Sequence, residues 1–332
     1  MAKRAGKHPV GRALRALLAG FALFLCAEIG ATDALSAIVR TVAYTPAENT
    51  IAVIYPDLGE PYRTVFTQII AGIESRARIV EYALGPNAGI EELKNRLRQQ
   101  NIKVVIALGR QGMGVAASLD RDIGVVMGGV ITAPDNGIRD LPLHSLSPDP
   151  ALLFELLKKL LPATRRVFAV YNPKQNAWLI RQAKMSARSL GLELVTYEAQ
   201  DLHSAVQGYQ DFFNNADSRQ DALWLLQDST TVEESSALPL VLQESWNRNL
   251  AVFSSNFGHV RRGVLFSLYP DNGKMGGHLA DMALRFLASG DYGEHGVILL
   301  REVLTAINLR TAKHLDINTS RQQDFDVAFP DE

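Results

Sequence analysis

The chain has 332 residues, 47% of them hydrophobic and 21% charged, with a formal net charge of −1 at neutral pH. That balance belongs to a globular protein long enough for two domains of ordinary size, and it excludes a disordered chain. It also excludes nucleic-acid binding by bulk positive charge, and a single cysteine, Cys26, leaves neither an internal disulfide nor a thiolate metal cluster.

Residues 1–31 read as a secretory signal. Lys3, Arg4, Lys7, Arg12 and Arg15 form a basic lead, and residues 16–27 are almost wholly apolar. That run is shorter than the roughly 20 residues a membrane span needs. Cleavage after Ala31 or Ala34 fits the small residues there; an uncleaved anchor helix is the alternative. Leu23-Phe24-Leu25-Cys26 resembles a lipobox, although Leu25 is larger than the small residue such a motif places before its cysteine. Removing residues 1–31 strips five positive charges and Glu28, which takes the formal net charge from −1 to −5. The expected location is periplasmic, as a soluble product, with a lipid anchor at Cys26 as the alternative.

Nine short apolar runs follow, at residues 51–56, 78–84, 103–108, 124–130, 166–171, 192–197, 222–227, 250–253 and 264–269. Most are rich in Val, Ile and Leu with little polar alternation, as in strands buried on both faces of a parallel sheet. Helical stretches alternate with them. The first, after Asp57-Leu58-Gly59-Glu60-Pro61, sets Val65, Phe66, Ile69, Ile70 and Ile73 on one face. Others are expected at 89–100, 112–119, 151–161, 177–190, 202–214, 232–246 and 275–287, with Gly191 as a helix cap. Residues 133–141 read as a loop, and Ser147-Pro148-Asp149-Pro150 as a helix start. A last strand at 304–308 leads into a helical piece at 311–315. The expected fold is α/β: two doubly wound lobes with central parallel sheets and a hinge cleft. Lobe 1 is assigned residues 45–146 plus 258–290, lobe 2 residues 147–257 plus 291–317, and 318–332 a polar tail, loose or lightly docked.

In a doubly wound sheet, ligands sit beyond the carboxyl ends of the strands, and between two lobes the cleft is the natural site. The loops at those ends contribute the candidate ligand contacts Asp57, Arg110, Gln111, Asn172, Trp178, Asp228, Thr230, Asn256 and Tyr269. Gly109-Arg110-Gln111-Gly112-Met113-Gly114 lacks the dinucleotide spacing and the Lys-Ser/Thr pair of a phosphate loop. It reads either as a tight strand-to-helix turn or as a helix start where Arg110 clamps a ligand carboxylate. Asp228 reads either as partner for an ammonium group, with Thr230 beside it, or as the N-cap of the next helix. Trp178, placed in a loop, either stacks on a flat ligand or packs at the rim, whereas Trp224 and Trp246 read as core. Asp57 and Glu60, three residues apart, read as a solvated loop before an acid–base pair. The seven histidines show no metal-ligand spacing, and no Gly-x-Ser-x-Gly elbow occurs. No catalytic residue, metal or cofactor is therefore expected, and the protein is not read as an enzyme.

Several stretches carry a family resemblance over residues 51–317. They are Val104-Val105-Ile106-Ala107-Leu108-Gly109, Tyr171-Asn172-Pro173, Asp228-Ser229-Thr230, Gly263 through Tyr269 with Gly276, and Ala306-Ile307-Asn308-Leu309-Arg310-Thr311-Ala312-Lys313-His314-Leu315. The chain resembles the substrate-binding proteins of bacterial ABC importers with the periplasmic-binding-protein type I fold, in the branch that includes receptors for aromatic and related amino acids. The resemblance implies two lobes closing on a small polar solute, an amino acid or related compound. It also implies delivery to an ABC permease in the inner membrane by a monomer. A periplasmic sensing or co-receptor module of the same fold, without transport, is the alternative. Two ligand-contact turns depart from the family. Its usual Thr-Pro-Ala-like turn is Arg110-Gln111-Gly112 here, and its usual Asn-Ser pair is Ala177-Trp178. The resemblance therefore implies the fold and leaves the solute open.

Overall fold

The computed structural model describes residues 50–85, 89–131, 141–318 and 324–330. The expected signal at 1–31, Cys26 and most of the expected loop at 133–141 lie outside them.

A first sheet begins with β1 (Ile51–Pro56), α1 (Tyr62–Glu74), β2 (Ile79–Leu84), α2 (Ile90–Gln99), β3 (Val104–Leu108), α3 (Gly109–Ala116), β4 (Gly124–Val130) and β5 (Leu143–Pro148). A second unit follows with α4 (Pro150–Leu160), β6 (Arg166–Tyr171), α5 (Pro173–Ser189), β7 (Glu193–Glu198), α6 (Leu202–Asn215), β8 (Asp221–Leu225), α7 (Ala237–Asn247), β9 (Ala251–Ser254), α8 (Phe257–Arg262) and β10 (Phe266–Pro270). The chain then returns to the first sheet with α9 (Asn272–Ser289) and β11 (Val297–Leu300). It ends in the second with β12 (Val303–Asn308), α10 (Leu309–His314) and β13 (Val327–Phe329). The strand orders are β11-β5-β4-β3-β1-β2 and β13-β12-β10-β9-β8-β6-β7. Every strand pairing is parallel except β10 with β12.

Strand alternation explains why both faces of each sheet are covered. In β1, Ile51 and Val53 turn toward α1 and α9, packing with Ile69, Met275 and Leu279. Ala52 and Ile54 turn the other way, toward Leu93, Leu97 and Met113 of α2 and α3. The second sheet repeats the device. Val167, Ala169 and Trp224 meet Phe154, Leu157 and Leu179 of α4 and α5. Val170, Leu223 and Val252 meet Tyr209, Phe212 and Leu238 of α6 and α7. Such positions, apolar on both faces, give the unbroken Val/Ile/Leu runs of the sequence.

Two strands expected in one lobe pair in the other. β10 was assigned to lobe 1 within 258–290, but it runs parallel to β9 with Phe266 opposite Phe253. The Phe253 and Phe266 rings stack 5.0 Å apart, and Phe253 lies parallel to Trp224 at 6.5 Å. That aromatic ladder holds β10 in the second sheet. β11, inside the 291–317 assigned to lobe 2, pairs with β5 in the first sheet. Three further expectations are corrected. β5 was not among the expected strands, because His144, Ser145 and Ser147 hide a strand whose polar side chains are buried. The polar tail, read as loose or lightly docked, is docked through a strand not expected there: β13 pairs with β12 and packs Phe329 against Phe257 and Arg261. Trp246, read as core, is 48% exposed and stacks on His314 with ring centroids 3.7 Å apart.

Three segments cross between the sheets: one at Asp149, one at Asp271, and one at Arg301 and Glu302. They are bonded to one another. Asp149 N donates to Leu300 O at 2.8 Å, Asp271 N donates to Glu302 O at 2.9 Å, and the Arg301 guanidinium pairs with the Asp149 carboxylate. Asp149 also caps α4 by accepting from Ala151 N at 2.9 Å. Pro150 stands at N1 behind it, so the helix starts where the sequence placed it.

The helices α1 and α9 touch through glycine. A Cβ at Gly276 would fall within the van der Waals radius of the Ile69 carbonyl oxygen, and one at Gly72 would meet the Gly273 carbonyl. Replacing Gly276 with Ala is therefore expected to destabilise the protein by about 1–3 kcal/mol, through overpacking. Gly114→Ala is the contrast. Nothing lies within 4 Å of its added Cβ, and in a helix the change should be neutral or stabilise by up to about 1 kcal/mol. Thermal melts of the two variants check both signs.

Candidate ligand-binding site

Both sheets contain the same core order, with the first strand of each unit between its second and third: β2-β1-β3 and β7-β6-β8. The direction of winding reverses there, and the crevice beyond the strand ends at such a point is where doubly wound sheets bind ligands. In the first sheet that point is flanked by Asp57, just after β1, and by Gly109, Arg110 and Gln111, just after β3. In the second it is flanked by Asn172, after β6, and by Asp228 and Thr230, after β8. The crossings at Asp149, Asp271 and Arg301 all leave from the carboxyl ends of β5, β10 and β11, so both sets belong to the ends that the crossings join.

On the first rim, the glycine-rich segment is a turn that becomes helix at once. Gly109 has φ +69°, and a Cβ there would crowd Pro56 and Phe66. Gly112 lets α3 settle on the Ile54 carbonyl, 3.0 Å from where its Cβ would be. The helix thus begins at Gly109 and not at residue 112. Arg110 and Gln111 lie exposed in its first turn, and Gln111 Nε2 donates to Gly85 O at 3.1 Å. Neither α1 nor α3 has a side-chain cap or an acidic residue in its first turn. At α1 the Glu60 carboxylate meets the first turn from outside the helix, whereas the N–H groups and dipole at the start of α3 favour a negative group nearby. Asp57 sits 3.8 Å from Arg63, both well exposed, while Glu60 accepts from Thr64 Oγ1 at 2.7 Å and Thr64 N at 3.3 Å. Asp57 and Glu60 are thus engaged separately.

The second rim is organised by the buried Asp228 carboxylate. Oδ2 accepts from Asn172 N at 2.7 Å and Asn176 Nδ2 at 2.9 Å. Oδ1 accepts from Thr230 N at 3.0 Å and Thr231 N at 3.2 Å. Four donors fill the roughly four acceptor positions of a carboxylate. Asp228 therefore ties the β6 turn to the β8 turn, and it neither caps α7, which begins at Ala237, nor keeps a lone pair for an ammonium group. Thr230 Oγ1 accepts from Gln175 Nε2 at 3.1 Å and Asn172 Nδ2 at 3.3 Å. Asn172 caps α5 through Lys174 N at 3.0 Å, with Pro173 at N1. The helix therefore starts four residues before the expected 177. That shift places Trp178 in its second turn, packed on the core of the second lobe, with Nε1 buried and unpartnered. Gln175 and Asn176 were not anticipated as rim residues. The Asn-Pro start was the signal for them, since it puts Asn176 one turn beyond the cap.

Asn256 caps α8 through Gly258 N at 2.9 Å, and its Nδ2 lies 3.3 Å from His259 Nε2. His259 Nδ1 is 2.8 Å from Ser254 Oγ, the spacing of a nucleophile and its base. Ser254 is 0% and His259 3% exposed, so no substrate reaches that pair. Burial depresses the His259 pKa to about 4. Tyr269 packs on Phe257 with the rings tilted 47° and centroids 4.5 Å apart, and burial raises its phenol. Tyr171, at the end of β6, is pushed up to about 12 by burial and by its hydrogen bond to Glu198 Oε1 at 2.8 Å, so it stays a donor. The two rims together offer amides, hydroxyls, a guanidinium and helix N–H groups.

Two α/β lobes with polar switch points at the ends joined by three crossings define a bilobal ligand-binding fold. A sequence model of the family described as ABC transporter substrate binding protein matches residues 152–323, just over half of the chain. The chain belongs to that family. No curated protein matches the sequence. Solved structures share the fold at low identity. A ligand-free, open substrate binding protein with adhesive properties from Clostridium difficile superposes with a TM-score of 0.59 at 16% identity, covering 84% of this chain and 98% of its own. An ABC domain in complex with L-Trp from Streptococcus pneumonia gives 0.53 at 16%, covering 85% and 100%. A conserved domain protein from Vibrio cholerae gives 0.52 at 19%, also covering 85% and 100%. The expected type I binding-protein fold is thus the observed one. Among the described residues no helix is long and apolar enough to cross a membrane.

Replacing Asp228 with Asn turns one acceptor oxygen into a donor facing N–H groups. The expected loss is about 1–3 kcal/mol for each buried group left unsatisfied, measured by urea denaturation. His259 sets an acid dependence. Its folded pKa of about 4 lies below the unfolded value of 6.5, so its contribution is fully present above pH 6.5 and is lost as pH falls from there through 4. The stability difference between the wild type and His259→Gln should shrink over that window when denaturant midpoints are compared at pH 7 and pH 4.

Proposed function

We propose that the protein is an exported receptor that captures a small polar solute between the two rims and delivers it to an ABC permease in the inner membrane. The observation that supports this most is the placement of unrelated polar side chains at both switch points, within a chain of the substrate-binding family. Asp57, Arg110 and Gln111 contact the solute from the first lobe, and Thr230 and Asn256 from the second. Asn172 and Asp228 hold the second rim in shape, and Trp178 and Tyr269 pack behind it. The N-terminus of α3, which has no side-chain cap, together with Arg110 in its first turn favours a solute with a negative group, such as a carboxylate. The structure bound to L-Trp makes amino acids one class to test, although this chain carries Arg110-Gln111-Gly112 where the family has a smaller turn. The protein acts as a periplasmic monomer, needs no cofactor and catalyses no reaction.

Thermal melting against amino acids, purines, small sugars and carboxylates tests the proposal. A ligand at about 100 times its Kd stabilises by roughly 2.7 kcal/mol. The expected result is a raised midpoint with one chemical class, lost in Arg110→Ala and in Thr230→Ala. A flat response across the panel would favour the sensing or co-receptor role over transport.

A further inference from the structure

Two histidines that the sequence separates by 134 positions meet one carboxylate at the crossings. His144 comes from β5, His278 from α9, and Glu302 from the segment joining β11 to β12. Their rings stand 4.9 Å apart, tilted 71°, so each presents an edge to the space beside Glu302. His278 Nδ1 lies 2.8 Å from Glu302 Oε1, and His144 Nε2 lies 3.4 Å from Glu302 Oε2.

The outer nitrogens are held from behind. His278 Nε2 is 3.2 Å from Glu294 Oε2, and His144 Nδ1 is 3.3 Å from the Ser145 carbonyl oxygen. His278 thus stands between two carboxylates, and a hydrogen on either of its nitrogens meets an acceptor. With hydrogen on His144 Nδ1, donated to the Ser145 carbonyl, His144 Nε2 turns a lone pair toward Glu302. For His144 the outcome is plain. The residue is 1% exposed, and its Nε2 and the facing Glu302 Oε2 are both buried without hydrogen-bond geometry to anything. Two buried acceptors facing one another are unfavourable unless a positive centre lies between them.

We propose that His144, His278 and Glu302 form a divalent transition-metal site, fitted best to zinc, at the crossings between the lobes. Two imidazoles and one carboxylate are a zinc donor set, and the acceptor behind each ring is the outer-shell arrangement that fixes the tautomer of a ligating histidine. A tetrahedral ion with bonds of about 2.0–2.1 Å holds its donor atoms about 3.3 Å apart. The donor atoms here lie within 4.8 Å of one another, and each imidazole nitrogen faces one of the two Glu302 carboxylate oxygens, at 2.8 and 3.4 Å. Access is from the groove between α1 and α9, where His278 and Glu302 are partly exposed. Both histidines belong to the first sheet and its helices, whereas Glu302 lies on the crossing into the second. The ion would thus fasten one crossing to the first lobe, away from the two switch points.

The test is calorimetric titration of the metal-stripped, tag-free protein with Zn2+, paired with the visible spectrum of the Co2+ form. One Zn2+ per chain and the intense absorption of a four-coordinate Co2+ site are expected. His278→Ala and Glu302→Gln should each weaken Zn2+ binding at least 10-fold and abolish the Co2+ absorption, whereas His203→Ala, on the exposed start of α6, should change neither. His144→Gln should behave like His278→Ala; its buried position makes a circular-dichroism melt part of the measurement, and the half-exposed His278 carries the test if that variant does not fold. Absence of Zn2+ binding to the wild type, or binding that survives in folded His278→Ala, would overturn the proposal.

Discussion

The molecule turns on three lengths of backbone lying side by side. Because Asp149 N reaches Leu300 O and Asp271 N reaches Glu302 O, the crossings form a bonded ribbon and not three independent tethers. One linker would leave two lobes free to twist. Three bonded ones, stiffened by the Arg301–Asp149 pair, restrict the relative motion to bending about the ribbon. The ribbon also decides where a ligand can be held. All three crossings leave from carboxyl ends of parallel strands, so the ends that carry the switch points are the ends that the ribbon brings together. The choice of site follows from chain direction before any side chain is considered.

Side chains then make the rims firm. On the second rim, a buried carboxylate with every acceptor position filled replaces the helix or strand that would otherwise order a turn. Asp228 holds two loops by four N–H groups, so Thr230 and Asn172 are placed by a hydrogen-bonded framework. On the first rim, the framework is steric. The positive φ of Gly109 and the close seat of Gly112 on the Ile54 carbonyl fix the first turn of α3, and with it Arg110 and Gln111.

Much of the architecture was legible because burial on both faces writes a strand as a continuous apolar run. Ile51–Pro56 and Gly124–Val130 match their runs residue for residue. β5 was not legible for the same physical reason inverted: His144, Ser145 and Ser147 are buried as polar groups, two of them bonding carbonyl oxygens of residues 130 and 131. The allocation of β10 and β11 between lobes was hidden because either sheet accepts an apolar strand; the Trp224–Phe253–Phe266 ladder decides it, and only in three dimensions. At the site, the positions after each strand were readable from topology, whereas roles were not. Asp228 looks the same in sequence whether its oxygens face four amides or a solute. Trp178 was misplaced because Asn172-Pro173 starts α5 a turn earlier than its apolar periodicity does. His144 and His278 carry no motif spacing, since the sheet and not the helix period brings them together.

One consequence of the discontinuous first lobe concerns how the chain acquires its structure. Met275, Leu279 and Ala283 of α9 fill the same core as Ile51, Ile69 and Val126, more than 140 residues earlier. β11, at residues 297–300, covers the edge of β5. A nascent or translocating chain that has presented β1 through β5 therefore holds an open-sided sheet, while the second lobe can assemble most of its strands from consecutive sequence. Contacts of such long separation form late and slowly. The lobe that is first in sequence cannot close until α9 and β11 have been made, and a chain cut short between β6 and β10 would lose the core of the first.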